Sequence, residues 1–221
     1  DWIIRARSTR DGKIHGSLNT LGAVTGRMTA NNPNMQQVSG NPKARSLFIP
    51  RPGWVLMGSD LAGLELRMLA HYLHKYDGGT YSDYILNGDV HTHNQTAMGL
   101  DSRNLAKSAI YCFLYGGGDT KFGEVVGTSA AQAKRTKKQL LDNIPGLRKV
   151  IEDCKFNSHA SGHVRPFDWR EIPVRSEHAA LNTLLQSSGA HIAKLWCCYV
   201  DVELNKLYPN QWAWVANIHD E

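Results

Sequence analysis

Apolar side chains recur along the chain with two different spacings, and these spacings predict where helices and strands lie. Residues 63–74 (GLELRMLAHYLH) carry leucine and alanine at positions i, i+3, i+4 and i+7, the pattern of a helix with one buried face. Residues 53–60 (GWVLMGSD) are a short apolar run, which predicts a buried strand directly before that helix. At residues 212–218 large apolar side chains alternate with their neighbours, which predicts a second strand.

The other segments show no internal repeat. Residues 1–53 are rich in glycine, asparagine, proline and arginine, and they predict loops, turns and short strands. Residues 87–160 are predicted to be wholly helical, residues 162–175 to contain a pair of short strands, and residues 177–204 to form one long helix. Strand, helices and strand in this order predict an α+β fold, in which a sheet layer is interrupted by a helical insertion.

Four side chains of unusual chemistry lie four residues apart within the sequence RNLAKSAIYCFLYGGG. Arg103, Lys107, Tyr111 and Tyr115 would form one slanted stripe on a helix, rising about 6 Å per step. The opposite face is apolar and carries Leu105, Ala106, Ala109, Ile110 and Phe113. Cations at one end and rings at the other would suit a long ligand with phosphates and a flat ring. The alternative is a solvated face of two basic residues beside two half-buried tyrosines.

Charge favours a polyanionic partner, because the 221 residues have a formal net charge of +5 and a pI near 9.0. Basic residues cluster at 134–138 (KRTKK) and at Arg165, Arg170 and Arg175, although such clusters are usually solvated surface. No apolar run is long enough to span a membrane. The four cysteines lack C-x-x-C spacing, which favours free thiols in a reducing cytoplasm over a zinc site.

Two aspartates follow the two predicted strands. Asp60 stands where the first strand gives way to a helix, and Asp220 stands just past the second strand. Two carboxylates that converge from separate strands are what Mg²⁺ needs, because this ion takes one or two carboxylates and leaves positions for phosphate oxygens and water. The alternative is that Asp60 caps a helix and Asp220 is a turn residue.

Three segments stand in the order and approximate spacing of polymerase motifs A, B and C: SDLAGLELR at 59–67, RNLAKSAIYCFLYG at 103–116 and HDE at 219–221. The stretches TGRMTANNPNMQQV, NGDVHTHNQTA and VRSEHAALNTLLQSSGA extend the match. From residue 1 to residue 221 the chain resembles the family A, or polymerase I type, DNA polymerases, and within them the replicative enzymes of short-tailed phages.

The resemblance implies an α+β fold with an antiparallel palm sheet, packed helices and an inserted all-helical fingers subdomain. Residues 1–53 would be a thumb-proximal segment that leads into the palm, and residues 54–86 the palm with motif A. Residues 87–160 would be the fingers with motif B, and residues 161–221 the palm with motif C, truncated after the metal-binding turn. In the family, the rest of the thumb and a proofreading exonuclease domain would precede this segment, and a strand and helices would follow it.

The implied activity is template-directed DNA synthesis, in which a deoxynucleotide passes from a dNTP to a primer 3′-hydroxyl with two Mg²⁺ ions. The resemblance places the metal-binding aspartates at Asp60 and Asp220, and the backbone carbonyl of Leu61 in one metal's shell. A two-metal nuclease could use the same aspartates, and a noncatalytic nucleic-acid-binding module is the other alternative. Because of the missing parts, we expect the isolated 221 residues to be poorly active or inactive.

The nucleotide contacts implied by the resemblance fall on the stripe. Arg103 and Lys107 would contact the incoming triphosphate, and Lys107 would also give a proton or positive charge to departing pyrophosphate. Tyr111 and Tyr115 would lie by the sugar and the nascent base pair, and His91 beside the triphosphate.

In the family, a glutamate at the position of Glu65 blocks the ribose 2′-hydroxyl and is hydrogen-bonded to a motif B tyrosine. We expect Tyr111 to be that tyrosine. The pair argues against the related single-subunit RNA polymerases, which must admit the hydroxyl. A tyrosine at position 111 also implies ready acceptance of dideoxynucleotides.

Primer–template DNA is the implied macromolecular partner. Arg27, Gln36, Asn182 and Gln186 match family positions near the minor groove, where similar acceptors let one donor test base-pair shape without reading sequence. His219 would hold the primer end. The resemblance also implies a processivity factor bound by the missing thumb, no membrane association, and action in the cytoplasm of a bacterial host infected by the phage.

Overall fold

The computed structural model describes residues 9–219, which form two compact units. Residues 63–188 make up the helical unit, and the described residues up to 62 and from 189 onwards make up the small unit. In chain order the elements are β1 (Ser17–Asn19), β2 (Thr29–Asn31), α1 (Pro42–Arg45), α2 (Leu64–Asp77), α3 (Thr80–Leu86), α4 (Val90–Met98), α5 (Arg103–Leu114), α6 (Asp119–Val126), α7 (Ala130–Asn143), α8 (Leu147–Ser161), β3 (His163–Val164), β4 (Ile172–Pro173) and α9 (Ala180–Leu207).

Helix α2 confirms the periodicity that predicted it. Its buried face carries Leu66, Leu69, Ala70 and Leu73, each at most 4% exposed. Full burial of one such leucine is worth about 1.5–3 kcal/mol relative to its exposed state. The same core takes in apolar residues of α5, α7 and α8, namely Ala106, Ala109, Ile110, Leu114, Leu140, Leu147 and Val150. The predicted helical segment 87–160 therefore forms five helices, α4 to α8, around this core.

Side-chain caps define where these helices start. Asp89 accepts from the backbone of His91 at the start of α4, Ser102 caps α5, and Ser129 caps α7. Helix α4 ends on Gly99, whose φ of +65° lies in the left-handed region that glycine occupies without strain. The turns between helices are therefore short, and neighbouring helices pack against one another.

Strands β3 and β4 form the predicted pair of short strands, with Val164 opposite Ile172 in antiparallel register. The hairpin is tied to the first turns of α9, because Arg170 Nη2 donates to the carbonyl of Ser187 at 2.9 Å. The hydroxyl of Tyr72 on α2 accepts from the backbone of Phe167 at 3.1 Å. These bonds fix the part of α9 that belongs to the helical unit.

The small unit contains the β1–β2 hairpin, in which Leu18 lies opposite Ala30. It also contains α1 and the part of α9 from residue 189 onwards. All four cysteines of the chain are free thiols, as their spacing predicted. Among the described residues no helix is both long enough and apolar enough to cross a membrane.

Two strands that were predicted from the sequence are wrong. Residues 53–60 and 212–218 form no strand in the described structure. The pattern identified apolar side chains correctly, but Val55, Met57 and Val215 are 77–84% exposed. A strand needs ladder hydrogen bonds to a neighbour, and neither segment has one within residues 9–219. Helix α3 was missed, because no helix was predicted from the sequence at residues 80–86.

Candidate functional site

The first residue of α5 is held by an ion pair. Arg103 Nε donates to Asp89 Oδ2 at 2.5 Å, and Arg103 Nη2 donates to Asp89 Oδ1 at 3.1 Å. The guanidinium holds the pKa of the Asp89 carboxyl well below its usual range. Asp89 also caps α4, so one carboxylate joins the starts of both helices. Asp89 was not among the predicted site residues, although an aspartate just before a helical pattern is a recognisable cap signal.

The stripe on α5 is confirmed as a geometric feature. Lys107 is exposed, and no partner of its ammonium is found in the part of the chain that the structure describes. Tyr111 is half-buried and Tyr115 is 46% exposed, with 6.2 Å between their ring centroids. The opposite face of the helix is buried in the core, as predicted. A cationic start and an aromatic end therefore share one accessible face.

His91 lies beside this stripe, with its ring centroid 6.4 Å from that of Tyr111. Burial of the imidazole, and after it the positive charges of Arg103 and Lys107, lower the pKa of His91. The ring is therefore neutral near pH 7. The structure thus brings together His91, Arg103, Lys107, Tyr111 and Tyr115.

Glu65 has a different hydrogen-bond partner from the one predicted. The prediction named Tyr111, but the bond in the structure runs from the hydroxyl of Tyr115 to Glu65 Oε1 at 3.0 Å. Glu65 is only 5% exposed, so its carboxylate is held in a buried setting next to the end of the stripe. The tyrosine that donates to Glu65 therefore lies one helical turn after the one that we expected.

A lysine on α7 supports the glycine turn after α5. Lys137 Nζ donates to the carbonyl of Gly117 at 2.6 Å and to Asp119 Oδ1 at 2.9 Å. A Cβ on Gly117 would lie 2.5 Å from Cys112 Sγ, closer than atoms tolerate, so this turn requires glycine. From the sequence, Lys137 was predicted only as part of a basic cluster, because its spacing does not show that it folds back onto this turn.

The predicted metal ligands lie in the small unit or outside the described structure. Asp60 is exposed, and no partner of its carboxylate is found within residues 9–219. Leu61 follows it and is half-buried. Asp220 lies outside the described residues, so its relation to Asp60 stays a prediction.

The predicted DNA contacts divide between the two units. In the small unit, Gln36 donates to the backbone carbonyls of Met28 and Asn217, both at 3.1 Å, and Arg27 and His219 line one small pocket. In the helical unit, Asn182 and Gln186 lie four residues apart on α9 and are half-buried.

Comparison with known proteins gives the class of this chain. The family model for DNA polymerase family A matches residues 1–221. The chain therefore belongs to DNA polymerase family A. Two similar curated proteins are named DNA-directed DNA polymerase, one from Enterobacteria phage T3 and one from Escherichia phage T7; each is 42% identical over 243 aligned residues. The match covers 96% of this chain and 34% of each relative, so the chain spans about a third of their length.

A solved structure shares the fold. It is the POL domain of Pol1 from M. smegmatis in complex with DNA primer–template and dNTP, with a TM-score of 0.81 and 23% sequence identity. The likeness covers 96% of this chain and 41% of that one. This confirms the α+β fold class predicted from the sequence.

Proposed function

We propose that this chain takes part in template-directed DNA synthesis, in which a deoxynucleotide passes from a dNTP to the 3′-hydroxyl of a primer paired with a template. One observation carries the proposal: in a member of this family, one face of α5 presents two cations and two phenols in a row, beside His91 and the buried Glu65. The names of the two phage relatives support the same reaction.

The stripe fits a nucleotide lengthwise. Arg103 and Lys107 would bind the triphosphate, since guanidinium and ammonium groups are the common protein partners of phosphate. The rings of Tyr111 and Tyr115 would lie against the sugar and base. Glu65, held by Tyr115, would occupy the space that a ribose 2′-hydroxyl needs, so deoxynucleotides would be favoured. Lys107, whose ammonium has no partner in the described part of the chain, would give positive charge or a proton to the departing pyrophosphate.

Two Mg²⁺ ions are the cofactor that we assign to the reaction. Mg²⁺ is bound by one or two carboxylates together with substrate phosphates, and the exposed carboxylate of Asp60 fits that requirement. No group of three metal-ligating side chains is found within residues 9–219, a range that does not include Asp220. Asp60, the carbonyl of Leu61 and Asp220 would hold them. Bound metal ions would acidify the attacking hydroxyl and neutralise charge on the leaving group.

Each residue already implied as a DNA contact would lie near primer–template DNA: Arg27, Gln36 and His219 of the small unit, and Asn182 and Gln186 of the helical unit. A processivity factor stays a prediction. From the phage relatives we expect the protein to act in the cytoplasm of a bacterial host.

Primer extension by the complete native protein that contains this sequence tests the proposal. Asp60→Asn should keep DNA binding and lose extension by orders of magnitude, because it removes a metal-binding charge. Glu152→Gln is the matched control, since it changes an exposed carboxylate on α8 in the same way. Extension that needs no dNTP or no primed template, robust extension by Asp60→Asn, or metal-dependent strand loss alone would contradict the proposal.

A further inference from the structure

A buried pair of polar side chains lies within the helical unit. Tyr81 on α3 is 1% exposed and Asn94 on α4 is fully buried. The hydroxyl of Tyr81 donates to Asn94 Oδ1 at 3.0 Å. Because Oδ1 is the acceptor, the amide nitrogen of Asn94 faces elsewhere, and no partner is found for it in the described part of the chain. A buried donor without an acceptor costs free energy, so such groups usually have a role.

A second buried polar atom without a partner lies one turn earlier on the same helix. His91 stands three residues before Asn94, and side chains at that spacing are neighbours on a helix surface. The Nδ1 atom of His91 is also buried and also lacks a partner among residues 9–219. A neutral imidazole with its proton on Nε2 has a free lone pair on Nδ1. Asn94 therefore has an unused buried donor, and in this tautomer His91 has an unused buried acceptor one helical turn away.

We propose that Asn94, held in place by Tyr81, is a positioning residue that donates a hydrogen bond to Nδ1 of His91, directly or through one water, while a nucleotide is bound. The bond fixes the tautomer of His91 with its proton on Nε2, so that Nε2 donates to a phosphate oxygen of the nucleotide. This inference rests on the proposed function, and on the placement of His91 beside the triphosphate. It assigns a role in nucleotide binding to two residues that do not touch the ligand.

A double-mutant cycle on primer extension by the complete native protein tests whether Asn94 acts through His91. The variant Tyr81→Phe/Asn94→Leu replaces both members of the buried pair by apolar groups, which limits the cost to folding. We expect it to raise the KM for dNTP by roughly tenfold, the effect of losing one hydrogen bond to a charged ligand, with kcat nearly unchanged. In a His91→Ala background the same pair of changes should have no further effect.

Two controls remove hydroxyls elsewhere in the helical unit. Tyr76→Phe removes a hydroxyl that donates to Asp153, and Ser158→Ala removes a buried hydroxyl on α8. Both should leave the KM for dNTP unchanged. Additive effects of the paired change and His91→Ala, or an unchanged KM in Tyr81→Phe/Asn94→Leu, would overturn the inference.

Nitrogen chemical shifts of ¹⁵N-histidine provide a readout that does not depend on catalysis. With saturating dNTP, His91 should show a protonated Nε2 and an acceptor Nδ1, and the Tyr81→Phe/Asn94→Leu variant should show a mixture of tautomers. The same tautomer population in both proteins would refute the role of Asn94. Absence of primer extension by the wild type would instead refute the proposed function, while the tautomer measurement would still decide this inference.

Discussion

Replacing Tyr115 by phenylalanine removes the hydroxyl that donates to Glu65 Oε1 at 3.0 Å. The ring and its place on the stripe remain, while the hydrogen bond to Glu65 is lost. Glu65 is 5% exposed, and water cannot readily replace the lost donor. We expect the carboxylate to be held less firmly once this donor is lost, and the proposed wall against a ribose 2′-hydroxyl to become less rigid.

The size of the effect follows from the burial of the acceptor. A hydrogen bond to a charged group contributes about 1.5–3 kcal/mol. Tyr115 itself is 46% exposed, which places this bond near the lower end of that range. About 1.4 kcal/mol corresponds to a factor of ten. The preference for dNTP over rNTP, measured as the ratio of kcat/KM values, should therefore fall roughly tenfold in Tyr115→Phe.

The assay is single-nucleotide primer extension with matched dNTP and rNTP, carried out on wild type, Tyr115→Phe and Tyr111→Phe. Tyr111→Phe is the control, because it removes a hydroxyl from the same helix face one turn earlier. It should leave the ratio within about twofold of wild type. If Tyr111→Phe lowers the ratio and Tyr115→Phe does not, Tyr111 is the functional partner of Glu65 and the argument from the structure is refuted.

Three further predictions concern sugar selection, the core and the ion pair. Tyr111→Phe should strengthen discrimination against dideoxynucleotides, as measured by chain termination; equal termination by both proteins would remove this idea. Leu69→Ala should lower the free energy of unfolding in urea by about 2–5 kcal/mol, because Leu69 is fully buried. Leu86 is 67% exposed, so Leu86→Ala should change the free energy of unfolding by less than about 0.5 kcal/mol. Similar losses in the two variants would contradict the core assignment. The pKa of Asp89 is lowered in the folded protein, so its ion pair stabilises the fold above about pH 4 and is lost as pH falls through the folded pKa. Melting temperatures from pH 7 to pH 2 should therefore fall less steeply in Asp89→Asn than in wild type, and parallel curves would contradict this.

The helices of this chain could be predicted from the sequence because their signal is local. In α2 the apolar residues repeat at the helical period, and Leu66, Leu69 and Leu73 are buried as that period requires. The stripe on α5 could be predicted for the same reason, since spacing alone places Arg103 and Lys107 on one face.

Features that depend on distant partners could not be predicted in the same way. Residues 54–60 and 212–218 have strand-like composition, but a strand forms only where another strand pairs with it. The partner of Glu65 was misassigned because Tyr111 and Tyr115 lie on one stripe, and spacing does not show which hydroxyl reaches the carboxylate. The family resemblance pointed to Glu65, and the structure showed which tyrosine donates a hydrogen bond to its carboxylate.

The bidentate contact between Asp89 and Arg103 has a consequence for any polyphosphate that approaches α5. Arg103 already has a counter-anion, so a triphosphate must exchange for a carboxylate or share the guanidinium with it. Lys107, one turn further along α5, is exposed and has no carboxylate partner within the described residues. We therefore expect binding in two stages, with fast capture at Lys107 followed by anion exchange at Arg103. Free pyrophosphate, which lacks a base and sugar to hold it against the tyrosines, would have little to drive that exchange.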